Sequence, residues 1–236
     1  MDRREWNRHA DEFEDAICDI IVDEISDQVS RFVRAACLPA DSVLVDLGCG
    51  LGSFVQKFGK RFRKIFAVDF AAQIIARARS RCAVQPGVKW LVMDVARAFK
   101  PIGMCADLTV CMNVITSPSP AKRKSLWSCV AKVTKPGGFA LIVVPSIESN
   151  EMVEQASSSA RRNGAFASKN NGVVKHEDSW QKHFGRRELI ATMSDYGFLV
   201  KKIGRVSFGW ADEGLRSPRT GGKKSPWDWI CLAQRV

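Results

Sequence analysis

One short stretch limits the fold of this chain more than any other. Val43-Leu44-Val45-Asp46-Leu47 is an apolar run broken by a single acid, and Gly48-Cys49-Gly50-Leu51-Gly52 follows at once. The run reads as a strand buried on both faces, and the alternating glycines read as a turn of bare backbone. Phe54, Val55 and Phe58 then recur at helical spacing. A strand, glycine turn and helix in this order bring the backbone against a ligand in the crevice at the carboxyl ends of the strands. The dinucleotide fingerprint GxGxxG needs a small residue at its sixth position. Counting from Gly48 that position is Ser53, and the extra glycine falls at Gly52, so the turn departs from the nicotinamide-binding pattern.

The same rhythm continues downstream. KIFAVD (64–69), VKWLVMD (88–94), DLTVCM (107–112) and FALIVVP (139–145) are short apolar strands separated by helical stretches at 71–81 and through Leu126, Trp127, Val130 and Val133. Buried strands alternating with helices signify a mainly parallel α/β sheet with helices on both faces. Upstream, Phe13, Ile17, Ile20, Ile21, Ile25, Val29, Phe32 and Val33 predict one long helix over 11–36, ended by Pro39. After Pro145 the rhythm breaks, and the Ser/Asn/Gly-rich stretch 157–172 reads as a mobile loop or lid. A helix over 186–196, with Gly197 as its cap, precedes FLVKKIGRVSF (198–208) and a closing strand DWICLAQ (228–234), which are expected to pair as a hairpin. The 236 residues are read as one domain: a helical cap (1–39), a ligand-binding half (40–145), an insertion (146–185), and a final helix with the strand pair (186–236).

Charge separates these parts. The chain carries 36 basic and 25 acidic residues, net +11, yet residues 1–45 are net −6 and residues 46–145 net +12. A uniform polycation is excluded, and no RRM, KH, zinc-finger or helix-turn-helix pattern accompanies the bases. Lys57, Lys60, Arg61, Arg63, Lys64, Arg77, Arg79 and Arg81 read as the solvated faces of sheet helices. Arg161, Arg162, Lys169, Lys175, Lys182, Arg186 and Arg187 lie where they can guide an acidic partner. The eight cysteines form no CxxC pair and sit among apolar residues, and no signal peptide or membrane-spanning run is evident. A reducing, cytoplasmic setting without a membrane partner is the expectation, and no HxxxH or acidic triad points to a metal.

Four polar residues end successive strands: Asp46, Asp69, Asp94 and Asn113. Parallel strands share one carboxyl rim, so the four would line a single cleft. There Asp69 can accept from ribose hydroxyls and Asp94 from an exocyclic amine. VLVDLGCGLGSF, AVDFAAQIIARAR, WLVMDVA, ADLTVCMNV and VTKPGGFALIVVPS together resemble the class I S-adenosylmethionine-dependent methyltransferases over about residues 40–145, and residues 186–236 follow by element order. The resemblance implies a Rossmann-like seven-stranded sheet whose last strand is antiparallel. It also implies that Asp46, Gly48, Cys49, Gly50 and Gly52 hold the methionine part of S-adenosyl-L-methionine, with S-adenosyl-L-homocysteine as product. Asp69 and Phe70 would then meet the ribose, Asp94 and Val95 the adenine, and Asn113 and Val114 the border with the acceptor. Cys49 stands at a common position of the family's turn and implies no thiol chemistry. Leu51 stands where many members have a small or polar residue or proline, and Ser53 begins the helix.

The acceptor side varies most in that family. His183 and His176, before the helix at 186–196, are the candidate bases or acceptor-orienting groups, with His183 first. His9 belongs to the cap or to solvent. Trp6, Trp180, Trp210 and Trp227 are expected around the opening, where their rings can stack on a planar substrate, together with Glu148 and Ser149. Trp90, Trp127 and Trp229 are expected in the core. The leading expectation is methyl transfer to an oxygen or nitrogen of a small molecule. RNA or protein acceptors, and an inactive cofactor-binding scaffold, are the alternatives.

Overall fold

A computed structural model describes residues 19–156, 171–176, 179–213, 215–216 and 224–236. Seven strands form one sheet in the order β3-β2-β1-β4-β5-β9-β8. They are β1 (Val43–Leu47), β2 (Lys64–Asp69), β3 (Val88–Val92), β4 (Ala106–Met112), β5 (Thr134–Pro145), β8 (Phe198–Ser207) and β9 (Trp227–Arg235). All neighbouring pairs up to β4–β5 are parallel, and β9 runs antiparallel to both β5 and β8. The expected hairpin is therefore present. β5 begins five residues before the predicted FALIVVP run, with a register shift where the Pro136-Gly137-Gly138 turn was expected.

The sheet separates two cores, as strand alternation requires. Val45, Leu47, Phe66, Val68 and Ile142 face Trp127, Phe184 and Leu189 on one side. Leu44, Ile65 and Leu141 face Phe32, Phe54, Val55 and Ile75 on the other. Local chemistry sets the helices between strands. In α4 (Ala72–Arg81) Ile74, Ile75 and Ala78 form the buried stripe. α6 (Pro120–Val133) starts with Pro120 in its first turn, and Ser119 Oγ accepts from Lys122 N at 3.5 Å. Trp127 and Trp229 are in the core as expected, whereas Trp90 is only half-buried, its ring edge beside Gly52.

Two expectations need correction. The helix predicted over 11–36 is not continuous among the described residues. α1 (Ile20–Asp23) and α2 (Gln28–Ala35) are separated by an extended Glu24 and by Asp27 at φ 49°. A tertiary contact supplies the reason, because Ile25 N donates to Ser207 O at 3.0 Å on the edge strand. Glu24 Oε2 meanwhile caps Gln28 N at 2.8 Å. Apolar spacing alone overestimates the buried face, since Val22 and Ile25 are exposed.

The insertion 146–185 also has more structure than a loop. α7 (Ile147–Ala156) follows β5, and β6 (Val173–His176) pairs with β7 (Ser179–Lys182) as a hairpin. Backbone bonds stitch this hairpin over the rim: Lys182 N donates to Thr116 O and Phe184 N to Pro145 O, both at 2.7 Å. The stretch 157–170 lies outside the described residues. Lys182, expected to face an acidic partner, is buried at 2% exposure and pairs with Glu188 Oε1 at 2.7 Å. It anchors the hairpin to α8 (Arg186–Asp195).

Candidate cofactor and acceptor site

β1 lies third from one edge of the sheet, with β2 and β4 on either side, so every one of its residues is buried. Asp46 is consequently 3% exposed, and its Oδ2 makes no hydrogen bond. Burial, reinforced by the nearby carboxylates of Asp69 and Asp19, pushes the Asp46 carboxyl up to about 8. A buried carboxylate without a partner is costly, and a bound cation is the ordinary remedy.

The turn after β1 depends on glycine at two points. Gly48 has φ 77°, and a Cβ there would come within 2.2 Å of Val114 Cγ2. Gly52 has φ 79°, and a Cβ would meet Cys82 Sγ and the Trp90 ring at 3.1 Å. The turn is tied to β2, with Gly48 N and Cys49 N donating to Val68 O at 2.7 and 2.9 Å. Gly50 N donates to Asp69 Oδ2 at 3.2 Å, and Ala71 N to Asp69 Oδ1 at 2.9 Å. Burial still wins over these bonds and raises the Asp69 carboxyl. The Cys49 thiol is held well up, chiefly by burial and then by Asp46 and Asp69, so it stays protonated and inert.

Along the rim, Asp94 is exposed and its Oδ1 accepts from Ala96 N at 2.8 Å, while Val95 behind it is buried. Phe70 is half-buried beside Asp69. Asn113 has φ 52° and follows β4, and its Nδ2 donates to Asp228 Oδ2 at 2.8 Å. Asn113 Oδ1 is buried without a partner. The four strand-end residues therefore follow one edge of the sheet, as parallel pairing of β1 to β4 dictates.

Asp19 was not anticipated by the sequence. Ser53 Oγ donates to Asp19 Oδ2, which brings a third acid from the N-terminal segment onto the glycine turn. No local pattern announces it, because in sequence Asp19 looks like one more polar residue of an amphipathic helix.

On the acceptor side the structure draws several candidates into packing. Glu148 Oε2 accepts from Trp229 Nε1 at 3.0 Å and from Ser146 Oγ at 3.1 Å, and Oε1 from Arg186 N at 3.1 Å. Partial burial pushes its carboxyl up, but the bonds from Trp229, Arg186 N and Ser146 outweigh it and hold the group below its usual value. Ser149 Oγ accepts from Trp227 N at 2.8 Å. Trp227 is 7% exposed and crosses Trp229 nearly at right angles. Trp180 is exposed on β7 and Trp210 is half-buried in a short 3-10 turn. His183 is buried, with Nδ1 at 3.4 Å from Ser146 O at the end of β5. Trp6, His9 and the side chain of His176 lie outside the described residues. No group of three or more metal-binding side chains occurs among the described residues, and no helix there is long and apolar enough to cross a membrane.

Residues 44–138 match the family model of the methyltransferase domain. The matched stretch is a methyltransferase domain, and the sheet has the fold of the class I S-adenosylmethionine-dependent methyltransferases. Its sheet order is that of the fold which uses this cofactor, and the acid-lined turn is compatible with a ligand carrying positive charge. The fold is similar to 1,6-didemethyltoxoflavin-N1-methyltransferase of Burkholderia thailandensis, at 15% identity over 99% of this chain and 87% of that one, with a TM-score of 0.68. It is similar to the N-methyltransferase NodS of Bradyrhizobium japonicum, at 14% identity over 99% and 97%, TM-score 0.63. A methyltransferase of Methanosarcina mazei gives 17% identity over 90% and 99%, TM-score 0.61. No curated protein matches the sequence.

Proposed function

We propose that the domain methylates an oxygen or nitrogen of a small-molecule acceptor. The observation that carries this reading is how the chain closes its own rim. The 24–26 linker, α7 and the β6–β7 hairpin all lie against the ends of β5, β8 and β9, and the space left beside the linker is a cavity of about 350 Å³. That size suits a small ligand. The similar Burkholderia enzyme is named for N1-methylation of a small heterocycle, which supports the same direction. The seven free cysteines among the described residues suit a reducing, cytoplasmic setting.

When bound, S-adenosylmethionine supplies an electrophilic methyl group for in-line displacement. The chain has to align the acceptor and exclude water, which is positioning rather than covalent chemistry. Asp46 and the Gly48–Gly52 turn hold the methionine part, Asp69 and Phe70 the ribose, and Asp94 and Val95 the adenine. Asn113 and Val114 separate cofactor from acceptor. His183 is the group we assign to orient the acceptor or take its proton. A proton on Nδ1, donated to Ser146 O, makes Nε2 the basic nitrogen of the ring. His176 is the second candidate.

The test is transfer of labelled methyl from S-adenosylmethionine into separated metabolite, protein and RNA fractions, the last with and without nuclease. Label in a metabolite fraction supports the reading. Label that is sensitive to nuclease or protease, and absent from metabolites, overturns it. Cofactor binding without transfer to any fraction would instead favour a scaffold.

A further inference from the structure

The cavity beside the linker is built from cations. Arg205 near the end of β8 and Lys224 just before β9 contribute two formal positive charges, and Ser26, Ser207 and Ser225 also line it. No carboxylate occurs among the described residues that line it. The neighbouring acid, Glu24, turns to the other face, where it caps α2 and approaches Lys57.

The position of Arg205 follows from strand register. Arg205 stands opposite Trp229, and Ser207 opposite Trp227, so all four side chains share one face of the β8–β9 pair. The guanidinium carbon lies 4.3 Å from the Trp227 ring centre and 5.4 Å from that of Trp229. Stacking of this kind holds the guanidinium plane while leaving its edge N–H groups able to grip a carboxylate or phosphate. Two wall residues also hold unspent polar atoms: Ser26 Oγ and Trp227 Nε1 are buried and make no hydrogen bond. Trp227 Nε1 is closed to solvent, so it senses the cavity through the Arg205 guanidinium stacked on its ring.

The cavity lies at the same end of the sheet as the rim, because the start of β9 and the end of β8 stand beside the carboxyl end of β5. Trp227 N is bound to Ser149, and the next residue, Asp228, holds Asn113 at the end of β4. Resting on the small-molecule reading above, the geometry points to an anion-binding subsite: Arg205, stacked on Trp227, and Lys224 take a carboxylate or phosphate group of the methyl acceptor. The acceptor is therefore an anionic small molecule, held by its charged end while its nucleophilic atom reaches towards Asn113 and the cofactor.

The experiment uses the full chain saturated with S-adenosylhomocysteine. The indole N–H resonance of Trp227, identified by its loss in Trp227→Phe, is followed during titration with sodium benzoate, sodium phosphate and neutral benzamide. A saturable shift with either anion and none with benzamide is expected. Arg205→Gln should weaken the effective anion at least tenfold and Lys224→Gln several-fold, with S-adenosylhomocysteine affinity unchanged. No saturable shift with either anion, or the same affinity in Arg205→Gln, would overturn the site. Labelled acceptor retained on an anion exchanger, with its KM raised in Arg205→Gln, supports the assignment to the acceptor. Labelled metabolite that passes the exchanger uncharged overturns that assignment. If no metabolite is labelled while anion binding persists, the small-molecule reading fails and the anion site stands.

Discussion

The two ends of the rim carry opposite charge. Around the β1 turn, Asp46, Asp69 and Asp19 converge, and burial, reinforced by the two neighbouring acids, raises the Asp46 carboxyl. At the β8–β9 end, Arg205 and Lys224 face a cavity without an acid among its described lining residues. Each end gathers charge-bearing side chains of one sign. An acid-lined end suits a cofactor bearing a sulfonium and an ammonium, and a basic end suits an acceptor of the opposite sign. The overall net charge of +11 conceals this division, because most of the basic residues of the cofactor-binding half solvate outer helix faces.

The strongest challenge to the acidic end is Gly48→Ala. A side chain at φ 77° costs about 1–2 kcal/mol, and the clash with Val114 adds about 1–3 kcal/mol. Together these amount to roughly a hundredfold loss of S-adenosylhomocysteine affinity or an equivalent fall in stability, read by calorimetry and thermal melting. Adding Val114→Ala should recover the steric part only.

Asp46→Asn comes next, with an expected loss of about 1.5–3 kcal/mol in cofactor binding. It should also flatten the pH dependence of the apoprotein. Burial pushes the Asp46 carboxyl up to about 8 in the folded chain, against 3.8 for an ordinary aspartate, so the folded chain binds the extra proton between those values. Apoprotein stability therefore falls as pH rises through that window, by at most about 1.4 kcal/mol per pH unit from this group. Melting curves from pH 4 to 8 should lose that slope in the variant, and an unchanged slope would remove Asp46 as its source.

Lys182→Met acts on the other half. It breaks a buried ion pair, but Glu188 keeps 46% side-chain exposure and can rehydrate, so about 1–2 kcal/mol is expected rather than the full cost of an isolated buried charge. Limited proteolysis should detect loosening of the β6–β7 hairpin while S-adenosylhomocysteine affinity stays the same. The smallest effect is expected from Asp19→Asn. Removing that charge should bring the Asp46 carboxyl down by part of its displacement and change cofactor affinity by under about 1 kcal/mol. Proton release on binding, measured by calorimetry in buffers of different ionisation enthalpy, would report it.

The cofactor half was legible because its signals are local. KIFAVD is a strand at the residues predicted, Lys64–Asp69, and the polar residue at each strand end is placed by parallel pairing alone. Gly48 and Gly52 are required by backbone dihedrals and by close neighbours, which a glycine-rich turn announces in sequence. The acceptor half was less legible because its decisive contacts join distant residues. Ile25 meets Ser207, Glu148 meets Trp229 and Arg186, and Ser149 meets Trp227. Lys182 looked like a surface charge until Glu188 and the hairpin enclosed it.

Periodicity and turn chemistry by themselves thus determined the alternating sheet, the glycine turn and the row of polar strand ends. Those properties depend on residues a few positions apart, where strand period, helix period and left-handed dihedrals leave little choice. Only the tertiary structure decided that the N-terminal helical pattern breaks at Glu24 and Asp27, that Asp19 joins Asp46, and that Arg205 stacks on Trp227 beside a cavity. The physical reason is that burial and charge compensation belong to the folded environment. A residue type carries its charge into the chain, but only packing determines what surrounds it.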